Sequence, residues 1–260
     1  MNRCMSLRIV FVMLVGLTFC LSAFAHSSNN DLREISFYTE SYPPANFLQD
    51  NKITGYAVDI LMEASALVGE PVTISQVTLQ PWARSYRTVL THKNSILFST
   101  TRSSHREELF DWVGPIADIK VVVLARKDSQ IKINHPLDMA NYKIGVIRDD
   151  IGEQSLLSLG VPRDSMQEAS YVTILAEQLM KKRIDLLVYS ERAAYWWSRQ
   201  AGVDPTLFEP VYTIQEGNVY FAVNRETDKA VVEKLQKGLE LLKQEDESGN
   251  SRYKELLSRY

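Results

Sequence analysis

Two arginines four residues apart, Arg102 and Arg106, are the first residues able to do chemistry here. A guanidinium offers a planar fork of donors that suits a carboxylate bidentately. Thr101 stands just before them with a hydroxyl. Ser104-x-x-Glu107 reads as a capping box, which predicts a helix opening there with Arg106 in its first turn, where backbone N–H groups and the helix dipole favour an anion. On composition alone, an exposed arginine at a helix start is the alternative. Tyr42 and Trp82 are aromatic surfaces that can exclude water or face a cation, with core packing as the other reading. Glu40 is either a site acid or a solvated charge at a strand end. Later in the chain, Arg148, Asp149, Asp150 and Gly152 crowd one loop, and Ser190 and Glu191 follow an apolar strand. A glycine in such a loop lets backbone come close to a ligand. Tyr195-Trp196-Trp197 reads as packing or lobe surface.

Signatures of catalysis are missing. The chain has no phosphate loop, no G-x-S-x-G and no H-E-x-x-H. His26, His92, His105 and His135 are scattered without metal-ligand spacing, so neither a metal nor a cofactor is expected. The charges, 29 Lys+Arg against 32 Asp+Glu, give −3 and argue against a nucleic-acid partner. At 260 residues and 45% hydrophobic, the chain can form one large domain or two of about 100 residues.

The elements that must position these residues follow a leader. Arg3 and Arg8, an apolar run from Ile9 to about Leu21, and Ala23-Phe24-Ala25 have the layout of a signal peptide over residues 1–25, with the bacterial periplasm as destination. Cleavage would remove both cysteines, Cys4 and Cys20, which suits an oxidising compartment. Beyond it, strand and helix alternate. Strands are expected at Glu34–Tyr38, Val72–Ser75, Ile96–Phe98, Lys120–Leu124, Tyr142–Ile147, Ile184–Tyr189 and Val219–Val223. Helices are expected around Ala57–Val68, Trp82–Thr91, after Gly152, and at Val172–Lys181, Arg192–Arg199 and Lys229–Lys243. Repeated βα alternation predicts α/β sheets with mostly parallel strands.

Thr39-Glu40-Ser41-Tyr42-Pro43-Pro44, then Gly55-Tyr56-Ala57-Val58-Asp59-Ile60, then Thr101 with Ser103-Ser104-His105-Arg106 resemble the family 3 extracytoplasmic solute-binding proteins, the receptors of polar-amino-acid ABC importers. Phe110-Asp111-Trp112-Val113-Gly114-Pro115, Tyr142-Lys143-Ile144-Gly145-Val146 with Gly152, and Arg183-Ile184-Asp185-Leu186-Leu187-Val188 continue the resemblance over nearly the whole mature chain. It implies a two-lobed periplasmic-binding-protein type II fold with two hinge-strand crossings, near Ile116–Ile119 and Gln215–Asn218. The first lobe would be discontinuous, residues 26–117 and 219–260, and the second would be 118–218.

The resemblance also assigns roles. Arg106 and Thr101 match the grip on a ligand α-carboxylate, with Arg102 as the alternative arginine. Tyr42 and Trp82 match the aromatic sandwich around the ligand side chain, and Glu40 an acidic position that meets the amino group. Arg148 matches a frequently basic position, and Gly152 a close backbone approach. Ser190 stands where the family commonly has an aspartate for the α-amino group. Glu191, Asp149 or Asp150 could take that part, or the ligand lacks the group. The expected protein is a monomer that captures an amino acid or related small carboxylate for an inner-membrane ABC permease. A soluble sensor docking on a membrane signalling protein and a dehydratase-like enzyme on the same fold are the rivals.

Overall fold

The computed structural model describes residues 30–200 and 202–260. The leader expected over residues 1–25 lies outside them. No helix among the described residues is long and apolar enough to cross a membrane.

The first part of the chain supplies β1 (Ser36–Thr39), a small hairpin of β2 (Phe47–Gln49) and β3 (Lys52–Thr54), α1 (Tyr56–Leu67), β4 (Val77–Leu79), α2 (Trp82–Thr91) and β5 (Ser95–Thr101). A long strand β6 (Phe110–Arg126) leads to β7 (Ile144–Ile147), α3 (Ile151–Ser158), β8 (Met166–Ala169), α4 (Val172–Met180), β9 (Leu186–Ser190) and α5 (Glu191–Gln200). An equally long β10 (Phe208–Asn224) returns, followed by α6 (Lys229–Lys243) and α7 (Arg252–Ser258).

Eight strands form one sheet in the order β4-β1-β5-β10-β6-β9-β7-β8. Successive side chains of a strand face opposite sides, and both sides are apolar. Val121, Val123 and Ala125 join one core with residues of α1, α3 and α6. Val122 and Leu124 join the other with residues of α2, α4 and α5. The expected mostly parallel sheet is instead mixed. β1 pairs parallel with β4 and β5, and β7 with β8 and β9, whereas β10 runs antiparallel to β5 and β6, and β6 to β9.

The fold has two lobes, one built on β4-β1-β5 and the other on β9-β7-β8. Only β6 and β10 belong to both. β10 reaches β5 as far as Val219 opposite Thr101, and β6 meets β9 from Val121 opposite Ser190. Between those points, Asp118–Lys120 and Glu216–Asn218 pair with each other alone. A two-strand ribbon is the thinnest part of the sheet, and it lies where the crossings were expected.

Two local expectations give way. Val72–Ser75 is not a strand. The Gln76 side chain accepts from the Thr73 N–H at 2.9 Å and donates to the carbonyls of Leu32 and Ile35, so residues 74–76 close a 3-10 turn and the strand begins at Val77. Nor does Ser104-x-x-Glu107 open a helix. The Glu107 carboxylate accepts from Arg102 instead, at 2.8 and 2.5 Å, and a single turn, Glu107–Leu109, precedes β6. Arg106 therefore sits in a turn and has no helix dipole behind it.

Candidate functional site

Side chains from the carboxyl ends of the strands in both lobes meet where the lobes face each other, the usual place for a ligand crevice in an open α/β sheet. Glu40 follows β1, Thr101 ends β5, Asp150 follows β7 and Ser190 ends β9. With Tyr42, Trp82, Arg106 and Tyr189 they line one narrow cavity, completed by Ser99, Ile119 and Ile151. Its room for the centre of a water-sized sphere is about 10 Å³, about one water's worth. The lobes are closed on one another.

Arg106 is the centre of this closure and is 0% exposed. Its Nη1 donates to the Thr101 carbonyl of its own lobe at 3.3 Å, while Nε donates to Gln154 Oε1 at 2.8 Å and Nη2 to the Asp149 carbonyl at 3.3 Å across the cleft. The rings of Trp82 and Tyr86, themselves stacked, lie 5.1 and 5.2 Å from its guanidinium carbon. Burial works against the charge of Arg106, and Asp150, Tyr86 and Glu40 offset it. Trp82 adds a second tie between lobes, donating its indole N–H to the Asp149 carbonyl at 2.9 Å. Its ring faces Arg106 in this closed state, and Tyr42 meets Tyr189 edge to face at 5.9 Å.

Two carboxylates accompany the arginine. Burial pushes the Glu40 carboxyl well above the usual carboxylate range, the charge of Asp150 pushes it further, and Arg106 opposes both. Burial also raises Asp150, against Arg106 and the nearby N–H groups of Ile151 and Gly152 at the start of α3, where Asp150 holds the N-cap position without a side-chain capping bond. Burial raises the Tyr42 and Tyr189 phenols, and the nearby Ser190 hydroxyl offsets part of the rise at Tyr42. The site thus offers one guanidinium, two acids that ionise reluctantly, and neutral hydroxyls. That set can grip a carboxylate and receive an ammonium.

Of the residues singled out by sequence, Glu40, Tyr42, Trp82, Thr101, Arg106, Asp150 and Ser190 are brought to this cavity and five are not. Arg102 turns outward, pairs with Glu107 and lies against Trp112 and Tyr220. Arg148 is exposed and held by Glu168 at 2.6 Å. Glu191 faces the hinge ribbon, 3.8 Å from Lys120. Gly152 approaches β9, where an added Cβ would lie 2.9 Å from Val188 Cγ1, so its smallness serves helix-on-strand packing. Asp149 gives its carboxylate to Arg87 at 2.9 Å and only its carbonyl to the site. Asp150 is the acid that faces in. It is one of the three acids weighed for the part of the aspartate absent at Ser190, and an Asp ahead of an apolar helix start is in addition an N-cap signal. Tyr189 and Gln154 carried none.

The family model for bacterial extracellular solute-binding proteins, family 3, matches residues 35–258. Among solved structures, an ancestral arginine-binding protein bound to arginine is 18% identical with a TM-score of 0.71, over 87% of this chain and 97% of that one. A histidine kinase sensor domain with similarity to periplasmic binding proteins is 19% identical with a TM-score of 0.74, over 87% and 95%. The substrate binding protein of an amino acid ABC transporter is 17% identical with a TM-score of 0.69, over 87% and 98%. At these identities the likeness is one of fold. None of the curated proteins compared with the chain matches it.

Proposed function

Because the chain belongs to the bacterial extracellular solute-binding proteins of family 3, we propose that it captures an amino acid or related small carboxylate between its lobes in the periplasm and delivers it to an ABC permease. The lobes are taken as residues 26–117 with 219–260, and 118–218. The observation that carries this reading is the fully buried Arg106, which reaches acceptors on both lobes and has Glu40 and Asp150 beside it. A ligand carboxylate would replace Gln154 and the Asp149 carbonyl on the guanidinium, and a ligand ammonium would supply the positive charge that lets Glu40 and Asp150 ionise. Asp150 then does what Ser190 cannot. Arg106→Ala tests this by calorimetry against a panel of amino acids. Truncating one partner of a buried charge pair costs about 2–5 kcal/mol, so binding should weaken at least about thirtyfold in a protein whose circular dichroism is unchanged. Equal affinity would remove Arg106 from the site.

Two observations favour other roles on the same cleft. The likeness to a histidine kinase sensor domain fits a receptor whose closure is read by a signalling partner. Glu40, with its raised carboxyl, is the kind of acid a dehydratase-like reaction would need. Recovering the ligand unchanged after long incubation sets the enzyme aside, and capture of a permease rather than a sensor by the liganded protein decides the partner.

A further inference from the structure

We propose that the chamber on the side of the cleft away from the hinge is a second subsite, which takes a hydrogen-bond-accepting group, a carboxylate or an amide carbonyl, at the far end of the captured amino acid. This rests on the reading that Arg106 holds the ligand's first carboxylate. The chamber measures about 330 Å³ by the same measure as the central cavity, and Glu40, Gln80, Arg84, Tyr171, Tyr189 and Trp197 are among its walls. Glu40 and Tyr189 also line the central cavity, so the two spaces adjoin through a shared wall.

The chamber's polarity comes from donors left without partners. Four buried side-chain polar atoms among the described residues make no hydrogen bond, and two of them, Gln80 Nε2 and Trp197 Nε1, belong to residues of this chamber. Native proteins seldom leave such groups unpaired, because burying one unmade costs more than the bond returns when made. An indole N–H can only donate, so Trp197 requires an acceptor, while the Gln80 amide can turn to suit. Arg84 lines this chamber and the open depression beside it, and it supplies the positive charge there, since Arg87 and Arg148 in the same depression are paired with Asp149 and Glu168. A cationic side chain would meet the Trp197 donor and Arg84 here, with only Glu40 and the turned Gln80 amide to receive it. An apolar one would leave both donors unpaired. An acceptor satisfies them. Gln80 comes from the first lobe, between β4 and α2, while Trp197 comes from α5 of the second, so the distal group would also help hold the lobes together.

Calorimetry on the whole protein with L-glutamine, L-glutamate, L-norleucine and L-lysine tests this. The expected result is that glutamine or glutamate binds at least about tenfold tighter than norleucine and lysine, as one to two hydrogen bonds to a buried site imply. Trp197→Phe and Gln80→Met should each pull the norleucine-to-glutamine ratio of Kd values towards one. A variant that merely destabilised the fold would move both Kd values in parallel and leave the ratio alone. Norleucine or lysine binding as tightly as glutamine and glutamate, or an unchanged ratio in both variants, would overturn the subsite while leaving the Arg106 reading standing. Failure of all four to bind, or equal binding to Arg106→Ala, would overturn that reading and the subsite with it.

Discussion

Glu40 shows how far a single residue can be read. Its type and its place at the end of β1 made it a candidate, yet whether it faced solvent or the cleft depended on Asp150 and Arg106, which lie far away in sequence. Its carboxyl is raised in the folded protein above the ordinary value of 4.5, first by burial and then by Asp150. The folded state therefore binds this proton more tightly than the unfolded state. The unfavourable contribution of ionised Glu40 is absent in acid and grows as pH rises from near 4.5 through the raised value. Glu40→Gln should consequently raise the melting temperature of the unliganded protein at pH 8 and leave it unchanged below pH 4.5, while weakening the binding of ligands that carry an ammonium group. A lower melting temperature at pH 8 would mean that the ionised carboxylate is a net stabiliser of Arg106. Arg102, Arg148 and Glu191 were misplaced for the same physical reason that Glu40 could be placed only in part. Each is oriented by a partner, Glu107, Glu168 or Lys120, and no rule of spacing identifies that partner.

At the scale of elements, helices with clear periodicity were legible to the residue. Trp82–Thr91 and Lys229–Lys243 stand as read. What failed was short and polar. Val72–Ser75 has β-forming residues, but the Gln76 side chain captures backbone groups and makes a turn. Elements also bear on function unequally, and two glycines separate the effects. Gly238 of α6 lies against α1, where a Cβ would fall 2.2 Å from the Ala64 carbonyl oxygen, far from the cleft. Gly152 of α3 lies against Val188 of β9, between Asp150 and Gln154. Overpacking of this kind costs about 1–3 kcal/mol or more, so Gly238→Ala and Gly152→Ala should both lower the melting temperature. Only Gly152→Ala should also weaken ligand binding, because shifting α3 off β9 moves both the acid and the Arg106 acceptor. Equal affinity in the two variants would separate α3 from the site.

Over the whole molecule, the two lobes were legible only through the family resemblance, because βα alternation by itself allows one large domain or two. The mixed sheet was not. Only Lys120–Leu124 of β6 and Val219–Val223 of β10 have the apolar run of a buried strand, whereas the remainder includes Gly114-Pro115 and Pro210 and is half-exposed. The ribbon left between the lobes is the one place where they can rotate without breaking other strand pairs. Closure is held by Arg106, by Trp82 on the Asp149 carbonyl, and by Phe47 of the first lobe against Trp196 of the second, ring centres 5.3 Å apart. An aromatic pair contributes about 0.5–1.5 kcal/mol beyond its burial. Phe47→Ala should therefore weaken ligand affinity by about two- to tenfold without touching the ligand, and a surface-plasmon-resonance measurement should show the change in dissociation rate. The central cavity, with its room for about one water, requires the lobes to part before an amino acid enters, and the ligand draws them together again around its own volume only through its greater affinity for that liganded closed state than for the open one. Small-angle X-ray scattering, with and without the amino acid that binds most tightly in calorimetry, tests this directly. The radius of gyration should fall on ligand addition at constant molecular mass, and should not fall for Arg106→Ala. An unchanged radius at calorimetric saturation would contradict capture between the lobes.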